Sequence, residues 1–336
     1  MGGVSYYAIL SGDHEGLALE ELKAILDVES RGYRVTGVLE GIALFEADIE
    51  DPSVVASRAA YVREVGLLLA VGPQDLDSGW VRELAYTLKG RTVRVEATRY
   101  KGYGSTSELD FVKRLTELGV KCSLRGDTTL RLFSTEGVVV AGLKIASREP
   151  GVFAERMPRR RPAFKPGTLA PQISRLMVNL SRLKRGATFL DPFCGVGGFA
   201  IEACLLGASR VVCGDIDWGA TLGALRNLEY YDCTSSIAIR LNSTELPLAD
   251  GSVEAIATDP PYGRSASTKG LSYEELVLRF LVEARRVSKR GSYVVYAGPY
   301  ERRPWTLALE AGLEVLARYH MFVHGSLVRE VVIARV

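Results

Sequence analysis

The chain has 336 residues, of which 47% are hydrophobic and 24% charged, an ordinary globular composition long enough for two or three domains. No apolar run reaches the roughly 18 residues of a membrane span, and the first residues lack a signal-peptide pattern, so we expect a cytoplasmic protein without membrane contact. The net charge is only +2, so any nucleic-acid partner must be argued from local charge.

The cysteines give no sign of a metal centre. The five are scattered without a C-x-x-C pair, and the three histidines do not cluster with them. We therefore expect no metal site and interpret the cysteines as reduced, partly buried thiols. The cysteines are Cys122, Cys194, Cys204, Cys213 and Cys233.

The amide content gives an indication of the source. The chain has 32 Arg and 10 Lys but only 2 Gln and 3 Asn. Scarce thermolabile amides favour a thermophilic source, although genomic bias would give the same counts.

Hydrophobic periodicity in the N-terminal half predicts two α/β units. An apolar run, a stretch of helical spacing and a glycine-broken run predict a small β-α-β-β unit over residues 1–55. These three patterns lie at residues 4–10, 17–26 and 33–45. Residues 56–148, rich in Arg and Lys, predict a second α/β module. Its helices are expected at residues 80–89 and 109–118, and its strands at 92–97, around 130–133 and at 138–145.

Residues 149–167 differ from the segments on both sides. They are rich in proline and glycine, show no hydrophobic periodicity, and carry five cations within ten residues. This composition predicts a basic linker between domains. The five cations are Arg156, Arg159, Arg160, Arg161 and Lys165.

Residues 168–336 alternate regularly between strand and helix patterns. Such alternation predicts a doubly wound, mostly parallel sheet. Its strands are expected at residues 188–190, 211–215, 237–241, 255–259 and 293–297. Two further apolar runs, residues 314–323 and 328–336, are separated by His324-Gly325-Ser326 and predict a hairpin that closes the sheet antiparallel.

A glycine-rich turn follows the first strand of this domain. Residues 188–190 lead into Asp191-Pro192-Phe193-Cys194-Gly195-Val196-Gly197-Gly198 and then into an apolar helix. A glycine turn there lets a ligand approach bare backbone at a helix N-terminus. The spacing also satisfies the dinucleotide fingerprint, because Ala200 follows Gly197 by three and Asp215 follows Gly195 by 20 residues. The glycines alone therefore do not choose a cofactor.

The charge of Asp191 favours S-adenosylmethionine over NAD. A carboxylate beside the glycines would repel a pyrophosphate, whereas the ammonium and sulfonium groups of S-adenosylmethionine are cations. Asp215 would then hold the ribose hydroxyls, and Asn242, after the next strand, lies where an amide can pair with the adenine edge. A loop-capping role for Asn242 is an equally good interpretation.

A second motif, Asp259-Pro260-Pro261-Tyr262-Gly263, begins at the last residue of the strand expected at 255–259, at the sheet edge where such folds bind ligands. An exocyclic base amine is a poor nucleophile because its lone pair is delocalised into the ring. The Asp259 carboxylate and the Pro260 carbonyl are acceptors that could localise this lone pair, and Tyr262 offers a stacking face contributing on the order of 1–3 kcal/mol. A base in a paired stem would have to be flipped out to reach them. The motif is also good turn sequence, but its place in this fold favours catalysis.

These residues resemble a known family over nearly the full chain. The Asp-Pro-Pro-Tyr motif resembles amino-methyltransferases of bases, and the whole chain resembles archaeal tRNA (guanine-N2) methyltransferases that modify position 10. The resemblance is most specific at residues 156–162 and 164–169, together with the glycine turn and residues 259–263. The family usually has His where this chain has Lys165. The terminal residues 324–329 resemble a family turn but depart at Gly325 and Val328, and no function is assigned to them.

The resemblance implies a fold, a cofactor and a partner. The fold is α/β: a ferredoxin-like unit over residues 1–55, a THUMP RNA-binding domain over 56–148, the linker 149–167 and a Rossmann-like methyltransferase domain over 168–336. The cofactor is S-adenosylmethionine and the partner is tRNA. The sequence leaves open one or two methyl groups, the tRNAs modified and the need for a small activator subunit.

The candidate site residues fall into three groups. Catalysis is assigned to Asp259, Pro260 and Tyr262. Cofactor binding is assigned to Thr168, Asp191, Phe193, Gly195, Gly197, Asp215, Ile216, Asn242 and Ser243. Phosphate contacts are assigned to Arg99, Lys101, Arg156, Arg159, Arg160, Arg161 and Lys165, with Lys113 and Arg114 as further cations that could track RNA.

Other functions fit parts of the sequence. The same chemistry could act at another tRNA position or on ribosomal RNA, and some Asp-Pro-Pro-Tyr enzymes methylate adenine or cytosine in DNA. An NAD-dependent oxidoreductase would not need Asp191 beside the glycines, and a non-catalytic RNA-binding protein would not need Asp259. A THUMP sulfur-transfer enzyme would need a phosphate-binding loop and a reactive cysteine pair, which the sequence does not show.

Overall fold

The structure is a computed structural model that describes residues 3–12, 14–102, 107–263, 270–325 and 327–336. The chain divides into two compact units, Met1–Glu149 and Pro150–Val336. In the described part of the chain, no helix combines the length and the apolar character needed to cross a membrane.

The first unit contains one mixed sheet with the strand order β2-β3-β1-β4-β8-β7-β5-β6. Most neighbours are antiparallel, while β5 runs parallel to β6 and β7. The strands are β1 (Val4–Leu10), β2 (Ser30–Leu39), β3 (Ile42–Ile49), β4 (Val62–Pro73), β5 (Thr92–Arg99), β6 (Lys121–Cys122), β7 (Thr128–Thr135) and β8 (Val138–Ser147). The helices are α1 (Glu15–Glu29), α2 (Ser53–Arg58), α3 (Gly79–Thr87) and α4 (Glu108–Glu117).

Strand β4 joins the two halves predicted for this unit. It pairs with β1 on one side and β8 on the other, so residues 1–149 share one sheet. Its side chains contribute to two separate cores, Val62 and Val65 to the core under α1, and Leu69 to the core under α3 and α4. Sequence analysis assigned neither β4 nor α2. Burial along β4 stops alternating after its first residues, so its sequence lacks the period of two by which a strand is recognised. A domain boundary near residue 55 stays a prediction.

The second unit contains a sheet with the strand order β11-β10-β9-β12-β13-β15-β14, parallel except for the antiparallel hairpin of the last two strands. The predicted fold class is confirmed. The strands are β9 (Thr188–Asp191), β10 (Arg210–Asp215), β11 (Ser236–Arg240), β12 (Val253–Thr258), β13 (Ser288–Pro299), β14 (Glu314–His324) and β15 (Leu327–Arg335). The helices are α5 (Pro171–Leu180), α6 (Gly198–Leu205), α7 (Trp218–Tyr230), α8 (Tyr273–Val287) and α9 (Pro304–Glu310).

The basic segment before this domain packs onto it. Within the segment predicted as a basic linker, the structure has two short 3-10 turns, Ala154–Arg156 and Pro158–Arg160. The buried side chain of Asn227 on α7 accepts a hydrogen bond from the backbone N–H of Ala163 at 2.8 Å and donates to its carbonyl oxygen at 3.0 Å. Its amide also donates to the carbonyl of Val196, which ties the segment to the glycine turn.

Two of the five cysteines form a disulfide, so the expectation that all are reduced was wrong. Cys204 near the end of α6 bonds to Cys233 just after α7, with their Cα atoms 5.8 Å apart. Their pairing was hidden because they are 29 residues apart and only the fold brings the ends of α6 and α7 together. Cys122, Cys194 and Cys213 are free thiols. Disulfides occur in intracellular proteins of hyperthermophiles, which is compatible with the thermophilic source predicted from composition.

We expect the disulfide to stabilise the second unit. Closing a loop of 29 residues should contribute about 3–4 kcal/mol by restricting the unfolded chain. Reductant should therefore lower the melting temperature of the wild-type protein and leave a Cys204→Ser/Cys233→Ser variant unchanged, as measured by thermal unfolding. Five reactive thiols in denatured, unreduced protein would contradict the assignment.

Candidate active site

A large cavity of about 1530 Å³ opens at the carboxyl ends of the parallel strands of the second unit. The segments after β9, β10, β11 and β12 contribute its wall, since the carboxyl ends of parallel strands meet at one edge of a sheet. The glycine turn and the Asp259 turn thus line the same cavity, as sequence analysis predicted for a ligand site at this edge.

The glycine turn exposes the bare backbone of Gly195 to the cavity, whereas Gly197 is buried against Ala224 of α7 and is not part of the cavity wall. Gly195 and Gly197 have positive φ angles of 53° and 86°, which side chains other than glycine rarely adopt. Gly197 caps the N-terminus of α6 in a left-handed conformation. A Cβ atom built on Gly195 would meet no atom within 4 Å, so the backbone there faces open space. A ligand can approach this turn closely.

Asp191, at the end of β9, is fully buried behind this turn and is not part of the cavity wall. Its Oδ1 accepts hydrogen bonds from the Thr258 hydroxyl at 2.6 Å and the Phe193 backbone N–H at 3.2 Å. Among the described residues nothing donates to its Oδ2. Burial raises the pKa of Asp191 to about 8, and the negative charges of Asp215 and Asp259 add to this effect. The carboxyl is therefore poised to ionise when a cation approaches.

Asp215, at the end of β10, is held by backbone donors on both sides. Its Oδ2 accepts from the Gly195 N–H at 2.9 Å and its Oδ1 from the Asp217 N–H at 2.8 Å. These contacts fix the carboxylate on the cavity wall, next to the glycine turn, while each oxygen keeps a second lone pair. The position fits a group that accepts hydrogen bonds from ribose hydroxyls.

Asn242 lines the cavity and also caps its own loop. Its Oδ1 accepts from the Thr244 N–H at 3.2 Å and the Thr244 hydroxyl at 3.0 Å. The side-chain oxygen of Asn242 therefore caps the loop, and a contact with adenine would use the amide nitrogen. Four more predicted cofactor residues line the same cavity. These are Thr168, Phe193, Ile216 and Ser243.

The Asp259 turn contains a compact polar cluster. The Tyr262 hydroxyl donates to Asp259 Oδ1 at 2.5 Å. Arg329 on β15, which sequence analysis left without a function, donates from Nε to the Tyr262 oxygen at 3.0 Å and lies 3.5 Å from Asp259 Oδ2. The signal available in the sequence was a charged pair, Arg329 and Glu330, in the middle of an apolar run that continues to Ala334.

Burial and charge compete at this cluster. Burial raises the pKa of Asp259, while the positive charge of Arg329 and the hydrogen bond from Tyr262 lower it. Burial and the Asp259 charge hold the pKa of Tyr262 well above its ordinary value, so its hydroxyl stays protonated and donates. The Tyr262 ring meets Tyr273 edge-on, with centroids 6.3 Å apart. The cluster can present a fixed, charged acceptor to the cavity.

The structure separates the cations predicted to contact RNA. Arg156 pairs with the buried Glu202 at 2.8 Å, and Arg161 is only 5% exposed, with its Nε donating to the Arg156 carbonyl. Arg161 is therefore closed to a phosphate in this structure, and Arg156 is engaged by a carboxylate, so these contacts disfavour a role in RNA binding that stays a prediction for both. Arg159 and Arg160 are exposed.

The remaining predicted cations differ in their pairing. Lys165 lies at the cavity wall and pairs with Asp217 at 2.8 Å. In the first unit, Arg99 is exposed, and Lys101 pairs with Glu40 at 3.3 Å. Lys113 is exposed, whereas Arg114 pairs with Asp77 and Glu117. A phosphate would have to compete with these carboxylates at the paired positions.

Comparisons with known proteins agree with this geometry. A family model described as "RMKL-like, methyltransferase domain" matches residues 158–330. The tRNA (guanine(10)-N2)-dimethyltransferase of Methanothermobacter thermautotrophicus is 34% identical over 98% of both chains, and that of Methanocaldococcus jannaschii is 28% identical over 96% of this chain and 97% of its own. The crystal structure of TrmN from Thermus thermophilus has a TM-score of 0.52 and 22% identity over 98% of this chain and 99% of its own, which shows a shared fold.

Fold and site together define a Rossmann-like methyltransferase of the S-adenosylmethionine-dependent class. More narrowly, the chain belongs to the tRNA (guanine(10)-N2)-dimethyltransferase family, which confirms the resemblance found in the sequence.

The buried Asp191 predicts a pH effect on stability. In the folded protein this carboxyl keeps its proton up to about pH 8, whereas in the unfolded chain it loses it near its ordinary pKa of 3.8. The folded state thus binds more protons between these values, and this group makes the ligand-free protein less stable as pH rises through that window.

Asp191→Asn should remove this dependence. Relative to wild type, the variant should gain stability between pH 5 and pH 8, by at most about 1.4 kcal/mol per pH unit. Urea unfolding at several pH values measures the difference. A difference that does not change with pH would contradict the raised pKa.

Proposed function

We propose that this protein transfers methyl groups from S-adenosylmethionine to the exocyclic N2 amine of guanosine 10 in tRNA, and that it adds two. The observation that supports this most directly is that one cavity contains both the glycine turn and the Asp259 turn. Full-length relatives carry the name tRNA (guanine(10)-N2)-dimethyltransferase. A tRNA substrate also implies a cytoplasmic location.

The residues around the glycine turn fit S-adenosylmethionine. Gly195 offers open backbone, Asp215 offers acceptors for ribose hydroxyls, and Asp191 supplies a latent negative charge behind the turn. Cations near Asp191 would favour its ionised form, which suits a ligand with ammonium and sulfonium groups. An ionised Asp191 carboxylate would repel the negative charges of a pyrophosphate. The cofactor would supply an electrophilic methyl group.

Asp259 and the Pro260 carbonyl would prepare the attacking amine. Both accept hydrogen bonds, and an acceptor aimed at each N–H localises the nitrogen lone pair. When the amine accepts the methyl group, positive charge would develop on its nitrogen, and the Asp259 carboxylate would stabilise that charge. The same carboxylate can then take the proton that the amine releases. Holding both reactants in one cavity contributes through orientation.

Tyr262 would hold the flipped base. Its hydroxyl is fixed on Asp259, so its ring is held rigidly beside the acceptor. Base stacking on such a ring contributes on the order of 1–3 kcal/mol. A base that leaves its stem for this cavity must recover the lost stacking energy, and Tyr262 is the aromatic side chain next to Asp259 on the cavity wall.

Arg159 and Arg160 would contact tRNA phosphates. Both are exposed, while their neighbour Arg161 is buried and Arg156 is half-buried in its pair with Glu202. In this proposal the THUMP region contributes further contacts from Arg99 and Lys113, which are also exposed. Such contacts position RNA without reading its sequence.

The direct test is methylation of tRNA transcripts by purified protein with isotopically labelled cofactor, followed by mass spectrometry of the nucleosides. We expect N2-dimethylguanosine at position 10 and no product when that guanosine is replaced by adenosine. Product at another guanosine would move the target site, and methyladenosine or methylcytidine would contradict the proposed base.

Asp259→Asn should lower the single-turnover methylation rate by about 10²–10³, the usual cost of removing one stabilising group from a transition state. The side chain keeps its size but loses its charge. Cofactor and tRNA binding, measured separately, should be unchanged because the glycine turn is not altered and the asparagine oxygen can still accept the hydrogen bond from Tyr262. A wild-type rate would show that Asp259 is only a turn residue.

The double substitution Arg159→Ala/Arg160→Ala should weaken tRNA binding and flatten its salt dependence. Each lost phosphate contact makes the plot of log K against log salt concentration less steep by about 0.9, so the loss of both contacts should reduce its steepness by nearly 2. Arg210→Ala/Arg290→Ala is the matched control, since it removes two exposed arginines at the amino ends of β10 and β13, away from the cavity. Equal slopes for both variants would contradict phosphate contacts at Arg159 and Arg160.

A further inference from the structure

Arg329 connects the C-terminal hairpin to the Asp259 turn. Its Nε donates to the Tyr262 hydroxyl oxygen at 3.0 Å, and its Nη2 lies 3.5 Å from Asp259 Oδ2. Tyr262 in turn donates to the other oxygen of the same carboxylate. The three side chains therefore form a closed ring of polar contacts, although Arg329 is 70 residues from Asp259 in the sequence.

The backbone of Arg329 is held rigidly. It lies on β15, between two strands, opposite Pro299 of β13 and Met321 of β14. Its side chain is only 8% exposed, and the Asp259 side chain is 18% exposed. Removing a charge from water is costly unless an opposite charge compensates for it, so each of these two groups needs the other.

We propose that Arg329 is a positioning residue for methyl transfer, which fixes the Asp259 carboxylate and the Tyr262 hydroxyl from the hairpin side and keeps that carboxylate charged. The inference rests on the proposed function, because it assigns Arg329 a part in the chemistry of the same site. Arg329 acts through Asp259 and Tyr262, and it contacts neither the amine nor the base itself.

The charges around Asp259 indicate what the loss of Arg329 would do. Tyr262 lies on the same turn, Tyr273 on α8 and Asp191 at the end of β9, and Arg329 is the positive charge among these neighbours. Burial raises the pKa of Asp259, and Arg329 is the largest influence that lowers it. Without the guanidinium, a larger fraction of Asp259 would be protonated near neutral pH. A protonated carboxyl stabilises a developing positive charge poorly.

The test compares Arg329→Gln and Arg329→Lys in single-turnover methyl transfer to tRNA across pH 6–9, with saturating labelled cofactor. Arg329→Gln should lower the rate near neutral pH by about 10². The acidic limb of its pH–rate profile should move to higher pH by about one unit or more, and activity should recover at high pH. Arg329→Lys keeps a charge and should retain an acidic limb close to that of wild type. Arg335→Gln is the matched control, because Arg335 lies on the same strand in an exposed pair with Glu314 and should leave rate and profile unchanged.

A coupling experiment makes the proposal independent of any one variant. If Arg329 acts through Asp259, Arg329→Gln should cost little further rate in an Asp259→Asn background. That double variant removes both buried charges, so it also keeps the test open if Arg329→Gln alone does not fold. Fully additive losses, or a rate loss equal at every pH, would overturn the proposal.

The wild-type enzyme separates this proposal from the proposed function. If wild type does not methylate tRNA, the function fails, and carboxyl ¹³C NMR titration of Asp259 in wild type and Arg329→Gln decides the Arg329 inference. A higher Asp259 titration midpoint in the variant supports it. An unchanged midpoint overturns it, whatever the substrate proves to be.

Discussion

The hydrogen bond from Thr258 to Asp191, 2.6 Å long, joins the two strands on which the site depends. Thr258 ends β12 and Asp191 ends β9, and these strands are neighbours although 67 residues separate the two side chains. The bond aligns the starts of the glycine turn and the Asp259 turn at one edge of the sheet. If the two strands were shifted along each other, a cofactor bound at one turn would no longer face an amine held at the other.

Buried carboxylates in this unit differ in how their charge is compensated. Glu202 is paired with both Arg156 and Arg175 at 2.8 Å, so its negative charge is fully compensated within the protein. Among the described residues Asp259 has one positive partner, Arg329, and it faces the cavity. Asp191 has neutral donors only and one oxygen that no described group contacts. The less a carboxylate is compensated within the protein, the more it can gain from a cationic ligand or a developing positive charge.

The antiparallel hairpin does more than complete the sheet. Strand β15 pairs along its length with β13 and β14, so its side chains have fixed positions at the side of the cavity. Arg329 and Leu327 from this strand line the cavity together with Val323 from β14. The parallel strands provide the side of the cavity at the glycine turn, and the hairpin helps to form the side next to Asp259.

The sequence by itself determined most of the regular elements and the positions of the two turns at Asp191 and Asp259. Periodicity located most strands and helices because it depends on neighbouring residues, and the turns at Asp191 and Asp259 were recognisable because their glycine and proline conformations are local. It could not determine which charged residues are free. Arg159 and Arg161 are two positions apart, yet one is exposed and the other is buried, because the surroundings of Arg161 include Glu202 and Tyr231 from distant parts of the chain. The pairing of Cys204 with Cys233, the place of β4 between two cores, and the contact of Arg329 with Asp259 were likewise decided by the tertiary structure, since burial, charge compensation and cross-linking depend on residues that only folding brings together.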